Sequence, residues 1–464
     1  MSKHTPGAQR SHRLAHHLWA IVAGLVLAAQ AGAAMLAYVP NEAGASVSVV
    51  DVNSGAVIAT VPVGVAPIGV AVAPGGRFVY VAQHSSDAVA VISTNTNTVQ
   101  AQISTGAKPV GVAVSPDGKR LYVTNFLTPT ASGGGSLWVK GTLTVVDAVT
   151  RDALVAVIVG ANPTGVAVSP DGSRVYVANA GSGTLSVVST VSNTVTATIP
   201  VGANPVGVAA SPDGLRVYVA NGGSASVSVI DAAALTVTST IRVGGHAMGV
   251  AVSDDSTRVL VSNTFDNSVS VIDAATQAVF ATTTTGIGQG PTGVAFVPGG
   301  STGLVANSRS ATVSSVDAAS GTAVVLSGNT LGWPASLGKF VAVTPSCALD
   351  VSGDAVVSST SDGVLILRYL LGFRGAALTQ GVSGIGTGVN AATIELTISG
   401  LNLDADGDGA MLPTTDGLLL VRALLHLTDN ALISSARNTG FAGVRSAAQV
   451  LQWITNTHGA SCLL

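Results

Sequence analysis

The chain has 464 residues, of which 47% are hydrophobic, 4% aromatic and only 9% charged, a composition of globular proteins that excludes a disordered chain. A formal net charge of −3 at pH 7, with no Lys/Arg-rich run beyond the first residues, excludes the basic footprint of a nucleic-acid-binding protein. The 55 glycines, with abundant Val, Ala, Ser and Thr, predict strands joined by tight turns, because glycine supplies positive φ and β-branched side chains fill a pleated sheet.

At the N-terminus, Lys3, Arg10 and Arg13 precede an uncharged apolar run from Leu18 to Ala29 and then the small residues Ala31 to Ala34. That order predicts a cleaved export signal over 1–33, with cleavage after Ala31 or Ala33. An uncleaved membrane anchor is the competing reading, since no charge falls between Arg13 and Glu42. Its strongly apolar part is about a dozen residues, short of the roughly 20 that a spanning helix needs. The expected location is extracellular, at the cell surface or periplasmic, with no transmembrane segment after cleavage.

A repeat fills the next two thirds of the chain. "GVAVAPGGRFVYVAQ" starts at Gly69, and versions of it start at Gly111, Gly165, Gly207, Gly249 and Gly293, in steps of 42, 54, 42, 42 and 44 residues. Each period holds four short alternating runs separated by turn residues, which is one propeller blade. Second-strand copies start seven times, at Tyr38, Tyr80, Tyr122, Tyr176, Tyr218, Leu260 and Leu304. "GKFVAVTP", from Gly338 to Pro345, supplies the missing seventh first strand, so the last blade is expected to combine strands from both ends. A seven-bladed all-β propeller is thus predicted over 34–345. Asp117, Asp171 and Asp213 of the repeated "SPDG" read as turn formers. Asn41, Asn125, Asn179, Asn221, Asn263 and Asn307 read as strand-ending turn residues.

The propeller's catalytic inventory is thin: Glu42 is its only glutamate, and His84 and His246 are its only histidines. No nucleophile elbow or histidine cluster at metal spacing occurs, so a non-catalytic protein is expected, with no catalytic residues. Non-repeated residues gather on the face that carries the loops after "YVAN" and before "GVAV". His84, Phe126, His246 and Phe265 stand there, beside Asp266 and the insertion "LTPTASGGGSLWVK", which brings Trp138 and Lys140. His84, Phe126, Trp138, Lys140, His246 and Phe265 could line a small-ligand or glycan site. The alternative is loop drift with Trp138 packed down as a lid.

Past Pro345 the pattern becomes helical. "DGVLILRYLLGF" from Asp362 and "DGLLLVRALLHL" from Asp416 lie 54 residues apart, as do Asp350 and Asp404, so a tandem duplication spans about 350–457 of a second domain, 346–464. In the second copy Asp404, Asp406 and Asp408 occupy positions 1, 3 and 5, Gly409 allows the turn, Ala410 offers a carbonyl at 7, and Asp416 closes from the helix. Alternate oxygens in a tight loop suit calcium, which takes six to eight hard ligands. Asp350, Ser352, Asp354, Val356 and Asp362 repeat the scheme, with Ala355 in place of the turn glycine, so one Ca2+ is expected and a second is open. Cys347 and Cys462 bracket the domain and can close a bridge in an oxidising compartment; two free thiols is the alternative.

Tyr122-Val123-Thr124-Asn125 reads "YVTN", and the repeats resemble those of the YVTN family of exported seven-bladed propellers. The resemblance implies secreted, surface-layer or periplasmic proteins. The C-terminal loops with their following helices resemble dockerins, which implies Asp404, Asp406, Asp408 and Asp416 as ligands and Asp350, Asp354 and Asp362 as their first-site equivalents. The 54-residue step departs from the close spacing of dockerin repeats. Together these readings predict an exported, non-catalytic binding or scaffold protein: a monomeric propeller that meets a protein or cell-envelope glycan partner, with a calcium-stabilised, mainly helical module for attachment or docking. The competing readings are a lactonase- or lyase-like propeller enzyme and a structural surface-layer component.

Overall fold

The computed structural model describes residues 35–94, 96–126, 140–326, 332, 334, 336, 338–343, 362–382, 390–399, 401, 403, 417, 419–421 and 449–450. Seven four-stranded antiparallel sheets form the blades of a propeller. We number the blades by their inner strands: Pro67–Val72 for blade 1, Pro109–Val114 for 2, Pro163–Val168 for 3, Pro205–Ala210 for 4, Ala247–Val252 for 5 and Pro291–Phe296 for 6. Blade 7 pairs its inner strand Val341–Val343 with Met35–Asn41, Met35 opposite Val343 and Ala37 opposite Val341. The two ends of the repeat therefore meet in one sheet, the closure that "GKFVAVTP" predicts.

Burial explains the residue pattern of each strand. The second strands, such as Arg174–Asn179, are covered on both faces after their first residue and read as apolar runs, while the outer strand Thr194–Pro200 alternates exposed and covered positions. Tyr38, Tyr122, Tyr176 and Tyr218 are fully buried between blades, and burial pushes their phenols up. The Tyr38 hydroxyl crosses from blade 7 to donate to Asn97 Oδ1 of blade 1 at 2.7 Å. Arg174 and Arg216 each donate through Nη1 to a carbonyl of the next blade, Ala232 and Ala274.

The strand-ending asparagines do more than open turns, although the carbonyls of Asn41, Asn179 and Asn221 do accept the amides of Gly44, Ser182 and Ser224 that close them. All six are buried, and Asn221 Nδ2 donates to Ser226 Oγ at 3.2 Å and Ser228 Oγ at 3.0 Å on the third strand. Asn41, Asn179, Asn263 and Asn307 bond two hydroxyls at the same spacing, and Asn125 bonds Thr142 and Thr144 across the insertion in blade 2. The amide replaces water for two buried hydroxyls at once, so it clasps the second strand to the third. The "SPDG" aspartates do behave as turn formers: in blade 3, Ser169 Oγ and the Ser173 amide both donate to Asp171.

On the axis the inner strands approach closely at their glycines. A Cβ on Gly207 would stand 2.3 Å from the Met248 carbonyl oxygen of the next blade. Gly111, Gly165, Gly249 and Gly293 would meet the following blade's carbonyl in the same way, which narrows the channel to a space of 20 Å³.

The described residues that follow include the helices α1 (Asp362–Leu370), α2 (Ala376–Thr379) and α3 (Ala391–Ser399). Arg368 of α1 donates to the carbonyls of Leu378 and Gln380, and Asn390 Oδ1 caps α3 by accepting from the Thr393 amide at 3.0 Å. Arg77, in the first turn of blade 1, donates to the Thr397 carbonyl of α3. None of the described helices is long and apolar enough to cross a membrane.

Candidate functional site

The upper face carries the loops that enter the inner strands and those that leave the second strands. Just above the glycine ring the channel is plugged: Val110 and Val206 are buried against Ile68, Met248 and Phe126. Polar groups stand over this apolar floor. His84 follows the second strand of blade 1, its amide donating to the Ala66 carbonyl at 2.9 Å, and Phe126 takes the same position in blade 2 with its amide on Lys108. The two rings meet edge to face, centroids 6.3 Å apart.

Lys108 adopts φ 54, a left-handed position that blades 3 and 4 fill with Asn162 and Asn204. Its amide donates to Asp87 Oδ1 at 2.7 Å, which holds this strained turn and leaves the ammonium side chain exposed. Lys108 and Glu42 both act electrostatically on His84. Burial lowers the imidazole pKa, the Pro109 carbonyl raises it, Lys108 lowers it again, and Glu42 and Asp87 raise it, with a net shift below the ordinary histidine value. The result is a half-buried, neutral imidazole at neutral pH, under the opposed influence of a cation and a carboxylate from neighbouring blades.

On blade 5, His246 holds the same left-handed position as Lys108, φ 57, and packs edge to face on Phe265 at 4.5 Å. Asp266 Oδ2 accepts from the Gly245 amide beside it. His84 Nδ1 and His246 Nδ1 are buried with no hydrogen-bond partner among the described residues.

The six candidates predicted from sequence are thus divided. His84 and Phe126 form one pair, His246 and Phe265 another, and Lys140 opens the third strand of blade 2 at an exposed position. Trp138 lies outside the described residues. Lys108 was missed, although its departure from Asn162 and Asn204 at one repeat position was visible. Of the calcium candidates, Asp362 is the buried first residue of α1. Asp350, Ser352, Asp354, Val356, Asp404, Asp406, Asp408, Ala410 and Asp416 lie outside the described residues, as do Cys347 and Cys462. No group of three or more His, Cys, Asp or Glu that could hold a metal occurs among the described residues.

Below the glycine ring the channel widens into a chamber of 280 Å³, lined by valines and alanines of the inner strands with Phe296, Pro212, Asp254 and Lys339.

Two protein families match parts of the chain: "Lactonase, 7-bladed beta-propeller" over residues 29–132, and "Cytochrome D1 heme domain" over residues 175–317. No curated protein matches it. Among solved structures, the periplasmic gluconolactonase of Pseudomonas aeruginosa is similar at 20% identity and a TM-score of 0.55, over 67% of this chain and 99% of its own. The hydrazine synthase of Kuenenia stuttgartiensis is similar at 22% identity and a TM-score of 0.52, over 62% and 91%. A functionally unknown protein from Desulfotomaculum acetoxidans is similar at 14% identity and a TM-score of 0.55, over 67% and 98%. At these identities the structural likeness establishes the propeller fold.

These matches overturn the expectation of a non-catalytic scaffold. The family models that parts of its blades match describe a lactonase and a haem domain, and the non-catalytic expectation is withdrawn. The scaffold expectation rested on the lack of a clustered catalytic set in the linear sequence. That was a weak basis, because side chains on separate blades can act on one another, as Lys108 and Glu42 both do on His84.

Proposed function

We propose that this chain is an exported propeller hydrolase that opens a small lactone on its upper face. The observation that carries the reading is the neutral, half-buried His84 under the influence of both Lys108 and Glu42. All three residues, with Phe126, fall inside the stretch 29–132 that matches the lactonase family. An imidazole with a lowered pKa can accept a proton from water while the hydroxide attacks the ring carbonyl. The Lys108 ammonium can stabilise the oxyanion that forms and then the product carboxylate. The acyl C–O bond breaks, the ring oxygen takes the proton back from His84, and a hydroxy acid leaves; no co-reactant beyond water is needed. Phe126 supplies an apolar wall beside the base.

A haem reading is less well supported. Haem iron needs an axial His, Met, Cys or Tyr, and no such side chain lines the lower chamber; both propeller histidines stand above the plug, on the other side of the glycine ring. The lower chamber does not fit that group.

The test is a pH-stat assay of the purified chain with glucono-1,5-lactone and γ-butyrolactone, against His84→Asn. We expect hydrolysis above the spontaneous rate that the substitution removes. Hydrolysis at the spontaneous rate for both substrates, or equal rates for wild type and variant, would refute the proposal.

The finer YVTN resemblance, periplasmic or extracellular location and the calcium loops belong to the same proposal. Ca2+ binding by Asp404, Asp406, Asp408, Ala410 and Asp416, with Asp350, Ser352, Asp354, Val356 and Asp362 as a second set, is supported by their spacing and by a helix that starts at Asp362. Calcium titration of the full chain by calorimetry, with Asp404→Ala as control, tests it.

A further inference from the structure

We propose that Asp87 is a positioning residue that fixes Lys108 relative to His84. Its catalytic consequence rests on the lactone-opening reading above.

The residue before the third strand is left-handed in six blades, at Ala45, Asp87, Gly183, Ala225, Asn267 and Ala311, with φ from 45 to 61. Its carbonyl takes the amide just past the outer strand: Val63 on Ala45, Thr105 on Asp87, Val201 on Gly183 and Val243 on Ala225. That backbone bond belongs to the repeat. Among the six, only Asp87 and Asn267 carry a side-chain acceptor, and each takes the amide of the left-handed residue that leads into the next blade, Lys108 at 2.7 Å and Gly290 at 2.8 Å.

The turn itself does not need the side-chain bond. Ala66, Asn204 and His246 hold the same left-handed position after Ala45, Gly183 and Ala225, which have no such acceptor. What sets the Asp87 bond apart is therefore the residue that it holds, a cation on the rim of the upper face. The loop from Thr105 to Lys108 is pinned to Asp87 at both ends, to its carbonyl at 3.2 Å and its carboxylate at 2.7 Å, which sets the direction in which the Lys108 side chain leaves the rim. Among the described residues the Asp87 and Lys108 side chains form no ion pair. A cation held in place stabilises a developing oxyanion better than one that must first be ordered. Asp87 also acts on the base itself: its charge raises the His84 pKa, against the lowering by Lys108.

Titration of His84 by NMR in the full chain reads this geometry without substrate. Lys108→Ala should raise the His84 pKa in wild type and in Asp87→Asn, which keeps the accepting oxygen as Asn267 does, and by roughly half as much or less in Asp87→Ala. Alanine already stands at this position in blades 4, 6 and 7, so Asp87→Ala keeps the fold. In the lactone assay Asp87→Ala should lower kcat at least about ten-fold with KM within about two-fold, and Asp87→Asn should hold kcat within about three-fold of wild type. Both variants lose the carboxylate charge, so the acid limb of kcat/KM should move to lower pH in Asp87→Asn and less far in Asp87→Ala, where the released lysine no longer depresses it. Asn267→Ala removes the matching bond to Gly290 and should leave kcat and the His84 titration unchanged. An equal Lys108→Ala shift in every background, equal loss of kcat in Asp87→Asn and Asp87→Ala, or the same loss in Asn267→Ala would each overturn the proposal. A wild type that opens no lactone, while the Lys108 effect on His84 still depends on Asp87, would overturn the lactone reading and leave Asp87 as the residue that fixes Lys108.

Discussion

Arg77 reaches from the first turn of blade 1 to the Thr397 carbonyl of α3, Nη1 to oxygen 2.8 Å, and so ties the propeller to a helix 320 residues later in the chain. Thr397 lies in the last turn of α3, where carbonyls have no partner within the helix and the helix dipole favours a cation. Burial pulls the guanidinium pKa down to about 10, which leaves it charged at neutral pH.

Replacing Arg77 with alanine removes a charge-assisted bond, a loss of about 1.5–3 kcal/mol. The loss should concentrate in α3. Amide exchange over Ala391–Ser399 should accelerate while the blades stay protected, and unchanged exchange in α3 would show that the contact does not anchor it.

Asn221→Ala should cost about 2–4 kcal/mol, because two bonds vanish and two buried serine hydroxyls lose their partner. Urea midpoints measure the loss. Adding Ser226→Ala and Ser228→Ala should restore part of it, since the stranded hydroxyls go as well; strict additivity would argue against the clasp.

Asp171 gives the stability a pH dependence with a definite sign. Hydrogen bonds from Ser169 and Ser173 hold its folded pKa at about 2, below the roughly 3.9 of an unfolded aspartate. Its contribution is therefore complete above the unfolded value and is lost as pH falls through the folded one. Solvent screening keeps it to under about 1 kcal/mol. Asp171→Asn should flatten the stability curve between about pH 4 and 2, and an unaltered slope would locate the acid sensitivity elsewhere.

The rate of lactone opening should track the neutral fraction of His84. Its lowered pKa places the acid limb of kcat/KM below the ordinary histidine range. Lys108 lowers that pKa and Glu42 raises it, so Lys108→Ala should move the limb to higher pH and Glu42→Gln to lower pH. Shifts of the same sign in both variants would remove His84 as the titrating base.

The blade count was legible because a period of 42 residues recurs with its turn chemistry intact, and because seven second strands against six first strands required a donor such as "GKFVAVTP". The asparagine clasp was legible too and was not read: Asn221 stands five and seven residues before Ser226 and Ser228, and Asn179 likewise before Thr184 and Ser186. Recurrence alone says that a residue is structural, not which partner it meets. The upper-face cluster was harder to see. Glu42 and His84 hold the same repeat position, directly after the second strands of blades 7 and 1, while Lys108 enters the inner strand of blade 2, and only the circular order of the sheets lets both charges act on the imidazole.

The pairing of Met35–Asn41 with Val341–Val343 also sets a schedule for biogenesis. One flank of Met35–Asn41 has no partner until almost every other blade has been synthesised and delivered. Until then the strand presents open amides and carbonyls beside apolar side chains, which invites pairing with another copy. A chain halted before Val341 would keep blade 7 permanently unsealed. Quality control of this protein therefore rests on three residues that arrive last in the ring, and truncations just ahead of them should aggregate where truncations behind them leave a closed propeller.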